Sequence, residues 1–213
     1  MENVKAIIFD WDGTIVDSMP THIEAYLKAL AKFGIKANAQ DILDLVGTPT
    51  ELLAEEVANK YGVKTKGKEI AKEKIKNYIE FSKSKNLIFD GALEILLALK
   101  PHYKLALLSG STRKQLDNYK EILELFEITV AGKEASKPKP NPDALWDIAD
   151  KLDLVPSECA YIGDFWQDMM AAEKAGMWAI GIRNRYVSDK ELTDAGADII
   201  INNLNELLTT GLL

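Results

Sequence analysis

Six short apolar runs, at residues 4–9, 104–108, 128–131, 159–162, 178–182 and 198–201, constrain this chain more than any other feature of it. Each has the length of a strand and is rich in β-branched or other apolar residues, the pattern of strands buried on both faces. Helical patterns separate most of them. Residues 91–99 follow Asp90 as an expected N-cap, and residues 112–125 follow Ser111. Residues 142–152 follow Asn141, with Pro142 at the first helical position, and residues 167–175 stop at Gly176, an expected left-handed C-cap. Strands and helices alternating in this way predict an α/β fold, a doubly wound parallel sheet with helices on both faces.

The alternation breaks once. Residues 18–88 contain no convincing strand, only apolar residues at helical spacing. Ile23, Tyr26, Leu27, Leu30 and Phe33 mark one face; Ile42, Leu45 and Val46 a second; Leu52, Leu53, Val57 and Ala58 a third; Ile70, Ile75, Tyr78, Ile79 and Phe81 a fourth. The expected organisation is a core from residues 1–17 and 89–213, with a small all-α domain, 18–88, inserted directly after the first strand. A chain of 213 residues is long enough for both.

Charge follows the same division. The formal net charge is −7, yet residues 18–88 hold 12 lysines against 9 acidic residues, leaving −10 for the rest. An acidic chain of this kind argues against non-specific nucleic-acid binding. A basic insert beside an acidic body suits an anionic ligand held against a cation site, and a solvated helical surface gives the same count. The single cysteine, Cys159, lies in an apolar run and is expected to be a buried structural thiol. The polar start, residues 1–5, gives no sign of a signal peptide, and no apolar run approaches the roughly 20 residues of a membrane span. The expectation is a cytoplasmic protein without membrane partner, monomeric or homodimeric.

The chemistry gathers at the carboxyl ends of the strands, where open α/β sheets bind ligands. The first run ends in Asp10-Trp11-Asp12-Gly13-Thr14 and the second in Ser109-Gly110-Ser111. Ser136-Lys137-Pro138-Lys139-Pro140 follows the third, and the fourth ends in Gly163-Asp164, with Asp168 four residues later. Carboxylates about 4 Å apart repel by roughly 4 kcal/mol per pair at an effective dielectric of 20. Such a cluster calls for a cation or for proton uptake, and hard oxygen donors with little histidine or thiol favour Mg²⁺ over zinc. A lysine and a serine hydroxyl beside them suit a phosphoryl group.

These four motifs, in this order, resemble the haloacid dehalogenase-like hydrolases, in particular the members similar to phosphoglycolate phosphatase and β-phosphoglucomutase. The resemblance spans essentially the whole chain, and the helical insert lies where that family places its α-helical cap. It implies a Rossmann-like core and a Mg²⁺-dependent phosphatase acting on a small-molecule phosphate ester. Asp10 would be the nucleophile that carries the phosphoryl group, and Asp12 the acid and then the base. Asp10, the backbone carbonyl of Asp12, and Asp164 would hold Mg²⁺, with Asp168 supporting the metal waters or Lys137 from behind. Ser109 and the N–H of Gly110 would bind phosphate oxygens, and Lys137 would balance charge. Trp11 is expected to pack, and Lys139 to lie on the surface.

Within the family, Asp12 disfavours the dehalogenases and phosphonatases, which lack an aspartate two places after the nucleophile. The mutases are the nearer alternative. His22 and Lys74 fall where those relatives carry a cap histidine and a cap lysine, so both are candidate substrate-binding residues. Gly47 and Thr48 are candidates as the cap's specificity loop. Thr50, however, stands where the mutases have an arginine for the distal phosphate, which favours a phosphatase. A non-catalytic phospho-acceptor protein is the remaining alternative, and it leaves Asp12 and the insert unexplained.

Overall fold

A computed structural model describes residues 3–64 and 67–209; Met1 and Glu2, the start of the polar N-terminal stretch, lie outside the described residues. Strand β1 is Ala6–Phe9. Four helices follow: α1 Met19–Lys32, α2 Ala39–Leu43, α3 Thr50–Lys60 and α4 Gly67–Ser82. The chain continues as α5 Ala92–Leu99, β2 Lys104–Ser109, α6 Arg113–Leu116, α7 Lys120–Leu123 and β3 Ile128–Ala131. It ends with α8 Asp143–Lys151, β4 Cys159–Gly163, α9 Trp166–Ala175, β5 Trp178–Ile182, α10 Asp189–Asp194, β6 Ile199–Ile201 and α11 Glu206–Thr209.

The six strands form one parallel sheet in the order β3-β2-β1-β4-β5-β6. The chain winds from β1 outward to β3, then returns to the other side of β1 and winds outward again. β1 is therefore central, all four of its residues are buried, and the crevice of the sheet opens at its carboxyl end. Phe9 is in register with Leu107 of β2 and Ile162 of β4. Asp10, Ser109 and Asp164 consequently leave the sheet at the same edge. On one face of the sheet, Ile8, Leu108 and Tyr161 join Leu145 and Ile148 of α8 and Met169 and Ala172 of α9 in a continuous core. Cys159 belongs to it, as a buried free thiol whose ionisation burial pushes up to about 11.

Packing divides the chain into two compact units, Met1–Asp17 with Ile88–Leu213, and Ser18–Leu87. The second is all helical. Its core is built from Tyr26, Ala29, Leu30, Ile35, Ile42, Leu53, Ala54, Val57, Ala58 and Ile70. Leu52, expected on the buried face of α3, is exposed, and Ala54 takes its place. The short α2 is held at its start by Asn38, whose side chain accepts from the N–H groups of Gln40 and Asp41. Asp41 answers by accepting from the N–H of Asn38, completing a capping box.

Some helix starts differ from those the local signals indicate. The single helix expected over residues 112–125 is split by a 3₁₀ turn at Asp117–Tyr119, and its cap is Thr112 rather than Ser111. Ser111 donates its hydroxyl to Asp12 instead. Helix α5 starts from Gly91 in a left-handed conformation (φ +82°), not from an Asp90 cap, and Pro142 rather than Asn141 precedes α8. Gly176 ends α9 in the left-handed conformation the sequence indicated. Among the described residues, no helix is long and apolar enough to cross a membrane.

Candidate active site

Asp10 follows directly from β1, and its N–H donates to the Ile162 carbonyl at 2.8 Å, so the sheet ladder itself fixes its backbone. The turn after it is closed by three N–H groups, of Thr14, Ile15 and Val16, all directed at the Trp11 carbonyl. Trp11 is buried and meets Tyr119 edge-on, the packing role expected of it. Gly13 has φ +82°, and a Cβ there would lie 2.0 Å from Oδ2 of Asp164. Glycine is thus required twice over, for backbone conformation and for the approach of the second acidic loop.

The lysine of this site is Lys139, not Lys137. Lys139 Nζ donates to Asp10 Oδ1 at 2.9 Å and to Asp168 Oδ1 at 2.5 Å, and it reaches the Tyr161 hydroxyl at 3.1 Å. Its side chain is only 18% exposed, against 60% for Lys137, whose ammonium pairs with Asp143 at the start of α8. The two lysines differ in reach: Lys137 finds its carboxylate on α8, outside the cluster, whereas Lys139 enters it. The expectation that Lys139 lies on the surface is overturned with that of Lys137.

Electrostatics follow from this arrangement. Burial is the main force raising the Asp10 carboxyl, and the Asp168 and Asp12 carboxylates add to it; Lys139 opposes them, and the balance stands at about 7. Burial, then Asp168 and Asp10, push Asp164 well above the ordinary carboxylate range. Burial alone would depress the Lys139 ammonium, but Asp10 and Asp168 overcome it and hold it well above its usual value.

Asp10, Asp164 and Asp168 are buried and offer oxygens that all lie within 4.8 Å of one another. Asp168 has both oxygens occupied: Oδ1 by Lys139 and the Tyr161 hydroxyl, Oδ2 by the N–H of Phe165 at 3.0 Å. Gly163 makes room for it, since a Cβ there would stand 2.4 Å from Asp168 Cβ. Asp164 is different. Its Oδ1 is buried and has no hydrogen-bond partner among the described residues. An orphaned carboxylate oxygen next to a second buried carboxylate, both hard donors, fits a small divalent cation. Asp10 and Asp164 are then the side chains that would hold it, and Asp168 holds Lys139.

The second strand supplies the serines. Ser109 is buried, and its Oγ accepts from the N–H of Ser111 at 3.0 Å. Gly110 is exposed, with nothing within 4 Å of where its Cβ would be. The Ser111 hydroxyl donates to Asp12 Oδ2 at 2.7 Å. That contact joins the first and second motifs through side chains 99 positions apart.

The cap candidates form their own constellation within the helical unit. His22 stacks on Tyr78, with ring centroids 4.2 Å apart. Lys74 Nζ lies 2.8 Å from His22 Nδ1 and above the Tyr26 ring, in a buried position. Gly47 has φ +90° in the turn after α2, and the N–H of Thr48 donates to Leu45 there.

Three contributors escaped the sequence reading. Tyr161 looked like one more strand residue, yet its hydroxyl serves Lys139 and Asp168. Ser111 looked like a helix cap. Asn184 lies beyond β5, an edge whose carboxyl end carried no recognisable motif; its Nδ2 donates to the Asp164 carbonyl at 2.5 Å. Its trace in the sequence is its place just past the carboxyl end of the fifth apolar run, 178–182.

Residues 7–182 match the model of a family described as haloacid dehalogenase-like hydrolase. The chain is 27% identical to a phosphoglycolate phosphatase of Mannheimia succiniciproducens, over 96% of each chain. In fold it resembles a predicted phosphoglycolate phosphatase from Haemophilus somnus, with a TM-score of 0.87 and 22% identity over 99% of both chains. It also resembles a β-phosphoglucomutase from Clostridium difficile, with a TM-score of 0.81 and 24% identity over 96% of this chain and 93% of that one. With the acidic loops at the carboxyl edge of its sheet and a family match covering most of its length, this chain belongs to the haloacid dehalogenase-like hydrolases.

Proposed function

We propose that this enzyme is a Mg²⁺-dependent phosphatase that hydrolyses a small phosphorylated metabolite, phosphoglycolate or a sugar phosphate, through an aspartyl-phosphate on Asp10. That it is a phosphatase accords with its family and with relatives named phosphoglycolate phosphatase. The observation that carries the mechanism is the Lys139 ammonium 2.9 Å from Oδ1 of the buried Asp10, with Asp164 beside them.

In this reading Asp10 attacks phosphorus and the ester bond breaks. Asp12, steadied by Ser111, gives its proton to the departing alkoxide. It then takes a proton from the water that attacks the same phosphorus, which frees phosphate and restores Asp10. Lys139 offsets negative charge on the nucleophile, and Ser109 with the Gly110 N–H receives phosphate oxygens. Bound between Asp10 and Asp164, Mg²⁺ would neutralise phosphoryl charge and so lower the cost of bringing an anion to a carboxylate.

Thr50 supports hydrolysis over mutase chemistry. It begins α3 as a neutral residue at the position where the mutases it resembles carry an arginine for the second phosphate. The test is turnover of p-nitrophenyl phosphate with Mg²⁺, expected to vanish with EDTA and in Asp10→Asn. Normal turnover by Asp10→Asn would remove the nucleophile assignment. A panel of phosphorylated metabolites, with β-glucose 1-phosphate among them, should yield free phosphate; conversion of that sugar to glucose 6-phosphate instead would make the enzyme a mutase.

A further inference from the structure

The two oxygens of Asp164 are not equivalent, and a residue outside the four motifs makes them so. The carbonyl of Asp164 accepts from Asn184 Nδ2 at 2.5 Å, and Oδ2 of the same residue lies 3.2 Å from that nitrogen. Oδ2 is also the atom against which Gly13 packs. Oδ1 is farther from that position, 2.8 Å from a Cβ placed at Gly13, and has no hydrogen-bond partner among the described residues.

Asn184 is itself fixed by its other end. Its Oδ1 accepts from the N–H groups of Tyr186 at 2.7 Å and Val187 at 3.0 Å, in the loop between β5 and α10. Two N–H donors identify that atom as the oxygen, so the amide cannot be flipped without placing NH₂ against N–H. All the strong hydrogen-bonding positions of Asn184 are then used, two on its own loop and two on Asp164. Gly181 is in register with Gly163, so β5 delivers this loop beside the end of β4 that carries Asp164.

We propose that Asn184 is a positioning residue for the cation site: it ties down the Asp164 backbone and Oδ2, and so commits Oδ1 to the metal. The proposal rests on the reading of Asp10 and Asp164 as cation-binding residues. Residues that orient ligating groups typically contribute 10- to 100-fold in metal affinity. An alanine at 184 leaves Asp164 free to rotate and leaves two backbone N–H groups of the loop without their acceptor.

The experiment is Mg²⁺ titration by calorimetry, without substrate, on the wild type, Asn184→Ala, Asn184→Ser and Asp164→Asn, with melting temperatures recorded for each. Asn184→Ala is expected to weaken Mg²⁺ binding at least tenfold. The Mg²⁺ concentration giving half-maximal phosphatase activity should rise by the same factor, while kcat at saturating Mg²⁺ stays within about threefold. If Asn184→Ala does not fold, Asn184→Ser, which keeps a short polar side chain, is read in the same way. A lowered melting temperature with Mg²⁺ affinity within twofold of wild type would show a merely structural role and overturn the proposal. Unchanged Mg²⁺ affinity in Asp164→Asn would instead overturn the cation site itself, and the inference with it.

Discussion

Lys139 and Asp10 are joined Nζ to Oδ1 at 2.9 Å, with both side chains largely withdrawn from water. A lysine 129 positions from an aspartate in sequence thereby becomes its nearest counter-charge. The same ammonium also holds Asp168, so one cation separates two buried carboxylates. Removing it leaves them facing each other.

Lys139→Met is therefore expected to reduce kcat/KM on p-nitrophenyl phosphate by about 10²- to 10³-fold, the scale of losing one preorganised electrostatic contact. Lys137→Met breaks only an exposed pair with Asp143 and should stay within about twofold. Steady-state kinetics on the two variants compare them directly, and the opposite ranking would restore Lys137 to the site.

The contact from Ser111 to Asp12 predicts a dependence on the leaving group. Ser111→Ala loses a charge-assisted hydrogen bond, so turnover of an alkyl phosphate, whose alkoxide needs a proton, should fall about tenfold, or ~1.4 kcal/mol. An aryl ester such as p-nitrophenyl phosphate leaves without that help and should be little affected in the first transfer. Pre-steady-state bursts with the two esters separate the steps. Equal losses on both would detach Ser111 from the proton transfer.

Two glycines lie so close to carboxylates that a methyl group cannot be added. Gly163→Ala would put a Cβ 2.4 Å from Asp168 Cβ, and Gly13→Ala one 2.0 Å from Asp164 Oδ2. Overpacking of this kind costs about 1–3 kcal/mol, and Gly13 also loses its left-handed backbone. Denaturant unfolding should show both destabilised, with Gly13→Ala additionally impaired in Mg²⁺ binding.

Asp41 gives the helical unit a pH dependence of defined sign. The Asn38 N–H, Lys60 and Tyr61 hydrogen-bond its carboxylate, and together they lower its pKa to about 2 from an ordinary 3.8. The folded state thus favours the ionised form. The stabilisation is present above pH 4 and is lost as pH falls from there through about 2. Asp41→Asn should lower the melting temperature at pH 7 and narrow its difference from wild type toward pH 2. A constant difference across that range would disconnect Asp41 from the effect.

Much of the molecule was legible because its signals are local. The six apolar runs became the six strands, since a strand buried on both faces must be apolar throughout. The insert was visible because helical spacing replaces strand patterning over about seventy residues. Asp10, Asp164 and Ser109 could be read as neighbours because each directly terminates or follows a strand, and parallel strands bring such positions to one edge.

The remainder depended on long-range contacts. Sequence alone supplied two lysines, each followed by a proline; only the folded chain decided that Lys137 meets Asp143 on α8 while Lys139 meets Asp10 and Asp168. Ser111 has the chemistry of a helix cap, and the approach of Asp12 gives it a stronger, charged acceptor. Asn184 carries no motif because its role exists only where β5 lies beside β4. A residue's place along the chain fixes its backbone conformation and its face of an element, so strands and strand-end acids can be read from sequence. Its hydrogen-bond partner is fixed by which atoms the tertiary fold brings within 3 Å.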